Sequence, residues 1–316
     1  MIYVSLLVHE NIDVIINQID NLNKFYSNCI IIIHISKISK ITTNNLNEKI
    51  KNLKIKNVII NNNQTDTSWG NVIAGHIANI EYIKNMKERG IIVFHASNDM
   101  LISNKVENYV STTKSAYNLR LVLPGSYWWP AHMVLQDKIF TNFVNSFNSG
   151  AIFASQIEGS FYETDVLFEI ITLINKHDLL DTNYHYTKEE IIFSTLAHCI
   201  GYQPNGLPYI FSEVHDFDRI LWSKFTKIDN NKFLNPFIKN KLKKILNNKL
   251  FKKGDYKINI KTVLSLLNKD TDFLQKKEYL NDGNYIWQIY DKNHLYGVKR
   301  INRNICDPVR KFISNL

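Results

Sequence analysis

Acidic side chains occupy three positions where they could do chemistry. Asp99 follows a strand-like apolar run, residues 91–94, and Glu158 precedes a glycine. Glu189 and Glu190 stand side by side at the start of a helical pattern. A carboxylate in a cleft can remove a proton from a hydroxyl, and an acid at a strand end can hold a metal or a polar ligand. These acids are therefore the first candidates for a functional site.

The elements that must position these acids follow an alternating pattern in the first hundred residues. Strands are predicted at residues 2–8, 29–35, 57–60 and 91–95, and helices at residues 11–26 and 71–87, the second capped by Thr67 and Ser68. This alternation predicts a mainly parallel sheet with helices on both faces. Ligands bind beyond the carboxyl ends of such strands, so we expect His9, Trp69 and Asp99 at one rim.

The middle of the chain carries an aromatic cluster after a predicted strand at residues 120–123. Tyr127, Trp128 and Trp129 could stack on a sugar ring, with Ser126 supplying a hydrogen bond, although packing in the core is an equal alternative. Two helices are predicted behind it, at residues 160–177 and 188–199. Thr187 and Glu190 have the spacing of a capping box at the start of the second helix.

Length, composition and cysteine usage restrict the class of protein. The 316 residues are 45% apolar, enough for one large α/β domain or two tightly joined lobes. We find no pattern typical of an export signal or a membrane span, and expect a soluble protein that is not exported. The three cysteines, Cys29, Cys199 and Cys306, are odd in number and far apart, which argues against a disulfide framework or a zinc site. A reducing cytoplasm fits best.

Basic charge is concentrated at one end of the chain. Residues 224–316 hold 21 Lys and Arg against 8 Asp and Glu, whereas residues 1–223 are net acidic. We therefore predict a catalytic core at 1–223 and a basic C-terminal region at 224–316 that faces a diphosphate, an acidic membrane or nucleic acid. A solvated lysine-rich surface is the alternative. Residues 236–253 predict a basic amphipathic helix whose apolar face comprises Ile238, Leu242, Ile245, Leu246 and Leu250.

Several segments, taken in order, give the chain a family resemblance. The chain resembles the ordered motifs of the core-2/I-branching enzyme and peptide xylosyltransferase family at residues 7–10, 31–36, 68–70, 96–102, 125–129, 186–195 and 295–300. That family comprises inverting glycosyltransferases of GT-A type that use UDP-sugars without a metal. The resemblance implies a GT-A-like α/β fold, a mainly parallel twisted sheet flanked by helices, with a basic helical C-terminal part that completes the donor diphosphate site.

The resemblance also implies roles for individual residues. Glu190 matches the family's catalytic base, with Glu189 as its rival. The family's basic side chains near the C-terminus match Lys299, adjoined by Arg300, and a second basic group falls on Lys276 or Lys277. Like these basic residues, His9, Trp69 and Asp99 are assigned to binding of the donor. Binding of the acceptor is assigned to Ser126, Tyr127, Trp128, Trp129 and Glu158. No metal ligand and no cofactor are implied.

The leading hypothesis is an inverting, metal-independent glycosyltransferase. It would move a sugar from a nucleotide-sugar onto a hydroxyl of a bacterial capsule or lipopolysaccharide precursor. The hypothesis takes the donor to be UDP-linked. Its acceptor would be a glycan or a lipid-linked glycan. The enzyme would act in the cytoplasm. The helix at residues 236–253 could dock on the inner face of the plasma membrane or pack on the catalytic core, and both alternatives stay open. A metal-dependent enzyme using Asp216 and Asp218, a glycan-binding module and a nucleic-acid-binding protein are the competing readings. The aromatic cluster lies in the acidic portion, which argues against nucleic acid.

Overall fold

The structure is a computed structural model that describes residues 1–9, 11–68, 70–147, 150–182, 184–212, 216–251, 258–277, 279–281 and 286–316. Within these ranges it describes all side chains except those of residues 216–220, 222, 247–251, 275–277, 280 and 281. The strands are β1 (Ile2–Val8), β2 (Cys29–Ile35), β3 (Val58–Ile60), β4 (Ile91–Ala96), β5 (Asp99–Leu101), β6 (Arg120–Leu121), β7 (Phe153–Ala154), β8 (Phe161–Glu163), β9 (Ile210–Phe211), β10 (Tyr279–Asn281), β11 (Ile286–Gln288) and β12 (Gly297–Lys299).

Helices separate most of these strands along the chain. They are α1 (Ile12–Phe25), α2 (Thr43–Asn52), α3 (Val72–Asn85), α4 (Val106–Thr113), α5 (Trp129–Val134), α6 (Lys138–Asn145), α7 (Thr164–Lys176), α8 (Lys188–Cys199), α9 (Asp216–Asp229), α10 (Pro236–Phe251), α11 (Ile260–Leu267), α12 (Thr271–Lys277) and α13 (Pro308–Ser314).

The central sheet has the strand order β3-β2-β1-β4-β8. The first four strands run parallel, and β8 closes the edge antiparallel to β4. Every residue of β1 is buried, as expected for a strand covered on both faces. Successive side chains enter opposite layers: Tyr3 and Ile32 pack with α3, α7 and α8, whereas Val4 and Ile33 pack with α1 and α2. The predicted fold class, a mainly parallel sheet flanked by helices and followed by a basic helical part, is confirmed.

A second sheet ties the basic C-terminal region to the core. Its order is β5-β12-β9, with β12 antiparallel to β5 and parallel to β9. Met100 and Phe211 from the core pack against Ile258 and Val298 from the C-terminal region. The basic region thereby delivers one strand, β12, to the carboxyl-end rim of the central sheet. The boundary predicted at residue 223 stays a prediction.

Several element bounds differ from the sequence expectation. The helix predicted at 71–87 begins at Val72 with Asn71 in the N-cap position and no side-chain capping hydrogen bond, so the prediction that Thr67 and Ser68 cap it is wrong. The helix predicted at 160–177 begins only at Thr164, because residues 161–163 form the edge strand β8. That strand pairs with β4 from far away in the chain, and three residues leave too little periodicity to reveal it.

The helix predicted at 236–253 is present as α10. Two residues of its predicted apolar face, Ile238 and Ile245, are 40% and 43% exposed. Leu246 packs inward against Trp129, Leu221 and Phe225, and the amines of Lys239 and Lys243 reach the carbonyl oxygen and the carboxylate of Asp229. The helix therefore turns two lysines inward and two isoleucines outward.

Candidate active site

Helix α8 places two glutamates at its first turn. Its apolar side chains lie under the central sheet, where Phe193 stacks on Phe94 of β4 with ring centroids 5.3 Å apart. Glu189 is 6% exposed, whereas Glu190 is only half-buried. Thr187 is the N-cap residue, but its side chain makes no capping hydrogen bond, so the predicted capping box is wrong. Of the two glutamates, Glu190 is therefore the one that stays partly accessible to solvent.

The segment before β8 carries Glu158 to the same place. The Ser155 amide donates to the carbonyl oxygen of Glu190 (2.7 Å), which fixes this segment against the start of α8. The Gln156 side chain donates to the carbonyl oxygens of Glu158 (2.8 Å) and Ile210 (3.0 Å). Gly159 follows with φ of +77° and lies too close to Ile210 for any side chain. Glycine is therefore required for the tight approach that positions Glu158.

Strand β12 adds a lysine to these acids. Lys299 Nζ lies 2.6 Å from Glu158 Oε2, with 19% and 12% of the two side chains exposed. The backbone of Lys299 pairs with that of Asp99 in β5. Three distant segments thus contribute one group of side chains, here called the carboxylate cluster, which comprises Glu158, Glu189, Glu190 and Lys299. All four were predicted from the sequence as site residues. Their roles stay predictions.

Burial and mutual repulsion set the protonation of the carboxylate cluster. Burial and the neighbouring Glu190 raise the pKa of Glu189 to about 8. Burial also raises the pKa of Glu190, while Lys299 and Arg120 oppose the shift. Burial alone would lower the pKa of Lys299, but Glu158 and Glu190 raise it. A pKa of about 8 leaves Glu189 mostly protonated at neutral pH, whereas Lys299 and Arg120 favour the charged form of Glu190.

Arg120, which sequence analysis missed, is the second cation facing the acids. It is 7% exposed and lies between two indole rings, with its guanidinium carbon 4.7 Å from the centroids of Trp128 and Trp287. One nitrogen, Nη2, donates to Ser126 Oγ (3.3 Å). In the sequence, Arg120 could have been noticed as a single arginine at the start of the apolar run 120–123. The two rings hold the guanidinium in place, and its charge acts to lower the pKa of Glu190.

The residues of the aromatic cluster separate in the structure. Trp128 faces Arg120, and the Ser126 hydroxyl accepts from the Trp128 amide (3.1 Å). Tyr127 is 47% exposed. Trp129 points away: it is 2% exposed, and its indole nitrogen donates to Asp229 of α9 (2.7 Å). Of these predicted acceptor-binding residues, Ser126 and Trp128 thus contact Arg120, Tyr127 is exposed, and Trp129 is buried beneath α9 and α10.

A groove of about 860 Å³ opens at the carboxyl ends of β1 and β2. Its walls combine apolar and hydroxyl side chains, namely Ile12, Ile38, Ile41, Ser36, Ser39, Thr67 and Ser68. His9 lines it, as predicted for the rim, whereas the residues of the loop after β2 were not predicted. A volume of this size accommodates a nucleoside-sized ligand.

The groove and the carboxylate cluster meet through one close backbone approach. Gly70 has φ of +86°, and a side chain on it would lie 3.3 Å from His185 Cβ. Gly70 follows the groove residue Ser68 by two positions, and His185 precedes the first turn of α8 by three. The two features are therefore neighbouring parts of one rim.

Asp99 lies within a sealed network and not on the open rim. Its Oδ1 is 2.6 Å from His95 Nδ1, and its Oδ2 accepts from the Ala96 amide (2.8 Å). His95 Nε2 lies 2.6 Å from the hydroxyl of Tyr209, which contacts that of Tyr26 (2.9 Å). These four side chains, the sealed network, are at most 2% exposed. Asp99 is thus a core residue in this arrangement, and its predicted contact with a donor is not favoured.

The other predicted site residues are placed as follows. Arg300 follows β12 with φ of +72°. Trp69 and the side chains of Lys276, Lys277, Asp216 and Asp218 fall outside the described residues. Among the residues that the structure does describe, no three His, Cys, Asp or Glu side chains are grouped to hold a metal ion. No helix within that same part has the length and hydropathy needed to cross a bilayer.

Comparisons with known proteins give a remote likeness in structure. No protein-family model and no curated protein matches the chain. Among solved structures, the chain is similar to the crystal structure of S. aureus TarS 1-349 in complex with UDP, with a TM-score of 0.35 and 11% sequence identity. That alignment covers 95% of this chain and 99% of the other.

Proposed function

We propose that the protein is an inverting glycosyltransferase that moves a sugar from a nucleotide-sugar onto a hydroxyl group of a glycan acceptor. One observation carries the proposal. Two buried or half-buried glutamates at the start of α8 face a Glu158–Lys299 ion pair and a stacked arginine, beside a groove at the carboxyl-end rim of the sheet. Such a rim is where α/β proteins bind nucleotides. The likeness to the core-2/I-branching and peptide xylosyltransferase motifs agrees with this chemistry.

Glu190 acts as the general base in this proposal. An inverting transfer needs one carboxylate that accepts the acceptor hydroxyl's proton while the anomeric carbon is attacked opposite the leaving group. Glu190 is half-buried and so reachable, and Lys299 and Arg120 support its ionised form. Glu189 is more deeply buried, and its Oε2 has no hydrogen-bond partner within the described residues. A protonated Glu189 cannot serve as a base, which separates the two rivals.

Lys299 stabilises the leaving diphosphate. In the structure its ammonium group is held by Glu158 at 2.6 Å. A bound diphosphate carries more negative charge than one carboxylate, so it competes for Lys299 and releases Glu158 toward the acceptor. A cation already fixed in place needs no reorganisation when charge develops on the leaving group. We propose that this lysine, with Arg300 beside it, does the work for which other enzymes use a metal.

The groove and the exposed tyrosine complete the proposed substrate path. The nucleoside lies in the groove, where Ser36 and Ser39 offer hydrogen bonds and Ile38 an apolar wall. We infer a UDP-linked donor from the family resemblance. Tyr127, 47% exposed, offers a ring face to the acceptor sugar. The acceptor we propose is a precursor of a bacterial surface glycan. Trp129 has no part in this path because it is buried under α9.

The proposal is tested by presenting the full-length protein with a panel of nucleotide-sugars and measuring thermal stabilisation and slow donor hydrolysis. We expect UDP-sugars to raise the melting temperature by mass action and to be hydrolysed without an acceptor. We also expect the hydrolysis to persist in excess EDTA. Activity abolished by EDTA and restored by manganese would overturn the metal-independent mechanism. No stabilisation by any nucleotide-sugar would overturn the proposed function.

A further inference from the structure

The helix α10 and the turn before it expose an unusual set of apolar side chains. Phe233 is 99% exposed and Phe237 is 76% exposed. Ile238 and Ile245 follow on the outer side of the helix, at 40% and 43%. Soluble proteins rarely expose several large apolar side chains together unless they bind something. We call this surface, with Lys232, Lys241 and Lys244 among the apolar residues, the α10 face.

The α10 face is held in place by contacts on its inner side. The Asn235 side chain caps the helix by accepting from the Ile238 amide (2.9 Å), and the Asn231 side chain accepts from the Phe233 amide (2.9 Å). On the inner side, Lys243 bonds to Asp229 (2.8 Å) and lies over the Trp129 ring at 4.9 Å. The exposed phenylalanines therefore belong to a defined turn and helix.

Charge complementarity identifies the partner. Residues 230–254 contain eight lysines and no acidic residue. Lys232, Lys241 and Lys244 are exposed beside the phenylalanines, whereas Lys239 and Lys243 turn inward. A surface that mixes large apolar side chains with exposed positive charge suits the boundary between anionic headgroups and acyl chains. A second copy of this chain would instead bring the same lysines together and repel.

We infer that the α10 face binds the surface of an anionic lipid bilayer. The phenylalanines enter the headgroup boundary, and the lysines contact acidic headgroups. This surface is adjacent to the candidate site, because Trp129 lies against Lys243 while its neighbour Trp128 lies against Arg120. The identity of the acceptor follows from this surface and rests on the proposed function. A glycan precursor carried on a membrane lipid would reach the carboxylate cluster from the side that faces the bilayer.

The test measures co-sedimentation of the full-length protein with vesicles of equal parts phosphatidylglycerol and phosphatidylcholine, without donor or acceptor. We expect binding that weakens in molar salt and is lost on pure phosphatidylcholine. Phe233→Ser/Phe237→Ser and Lys241→Glu/Lys244→Glu should each reduce the bound fraction at least tenfold. Because these side chains are exposed, their unfolding midpoints should stay near that of the wild type.

Matched controls change the same chemistry elsewhere. Lys51→Glu/Lys56→Glu alters net charge equally, and Leu53→Ser removes an exposed apolar side chain, so both should bind as the wild type does. No binding to the anionic vesicles, or equal losses in the controls, would overturn the inference. A dimer in sedimentation velocity that Phe233→Ser/Phe237→Ser abolishes, without vesicle binding, would also overturn it. Sugar transfer plays no part in these readouts, so the proposed function stands or fails separately.

Discussion

The carboxylate cluster and the sealed network show how access to solvent separates two similar sets of side chains. Each contains an acid 2.6 Å from a nitrogen of a basic residue. In the sealed network, Asp99 and His95 are completely buried and further joined to Tyr209. In the carboxylate cluster, Glu190 is half-buried and Lys299 is 19% exposed. The sealed network therefore has the burial of a structural element, whereas the carboxylate cluster has the access to solvent that its proposed role requires.

The largest effect is expected from Lys299→Gln. Loss of the cation removes the stabilisation of the leaving diphosphate, so transfer should fall by roughly a hundredfold to a thousandfold. Steady-state kinetics with the donor found in the screen measure the loss. Glu158→Gln/Lys299→Gln is the control for folding, because it leaves no unpaired buried acid at this position. Transfer by that double variant near the wild-type rate would mean that Lys299 serves only the fold.

Asp99→Asn should damage the fold and spare the chemistry. Removing one charge from a completely buried hydrogen-bonded pair should lower the free energy of unfolding by about 3 kcal/mol. The half-exposed pair of Asp291 and His294, 2.7 Å apart, offers a matched control, and Asp291→Asn should cost less than about 1 kcal/mol. Urea titration gives both values. A strong loss of transfer per folded molecule in Asp99→Asn would place Asp99 in the chemistry after all.

Glu189→Gln should change how stability depends on pH. The folded state raises the pKa of Glu189 from 4.5 to about 8, so the folded protein binds an extra proton between these values. Its stability therefore declines as pH rises from 4.5 to 8, by at most about 1.4 kcal/mol per pH unit. Glu189→Gln should match the wild type near pH 5 and melt at a higher temperature near pH 8.5. The exposed Glu169→Gln variant should melt like the wild type at both pH values. If Glu189→Gln also melts like the wild type at both, the raised pKa of Glu189 is contradicted.

A smaller pH effect, of the opposite sign, is expected below neutrality. Burial lowers the pKa of His34 to about 4, and its Nε2 accepts from the Thr65 amide (2.9 Å). The unfolded chain then binds a proton that the folded protein does not, so stability falls as pH drops from about 6.5 toward 4. In thermal melts, His34→Gln should flatten this decline, whereas the exposed His177→Gln should not. An unchanged slope in His34→Gln would show that His34 is not the residue responsible.

Local patterns in the sequence predicted the parallel half of the fold well. The apolar runs of β1, β2 and β4 and the helical spacing of α1, α3 and α8 are local signals, and the structure contains all of them. The short strand β12 pairs with β5 across some 200 residues and with β9 across some 90, and the two or three residues of each strand carry no period. The sheet that positions Lys299 therefore could not be read from spacing.

The candidate site was predictable in its acids and unpredictable in its surroundings. Glu190 and Lys299 were identified by family resemblance, and their meeting depends on the tertiary fold. Arg120 was missed because an arginine in an apolar strand has no fixed meaning until Trp128 and Trp287 enclose it. Asp99 has the same strand-end signal as a ligand-binding acid, and only its burial shows otherwise. The apolar pattern of α10 did not show which side of the helix would pack on the core, because Asp229 holds two lysines of its inner side.

The most direct test compares transfer by Glu190→Gln and Glu189→Gln under identical conditions, with circular dichroism to verify folding. If Glu190 removes the acceptor's proton, Glu190→Gln should lose roughly a hundredfold to ten-thousandfold in rate. Glu189→Gln should retain most of its rate near neutral pH, because Glu189 is already protonated there. Wild-type transfer by a folded Glu190→Gln variant would contradict the claim that the carboxylate cluster is the catalytic centre.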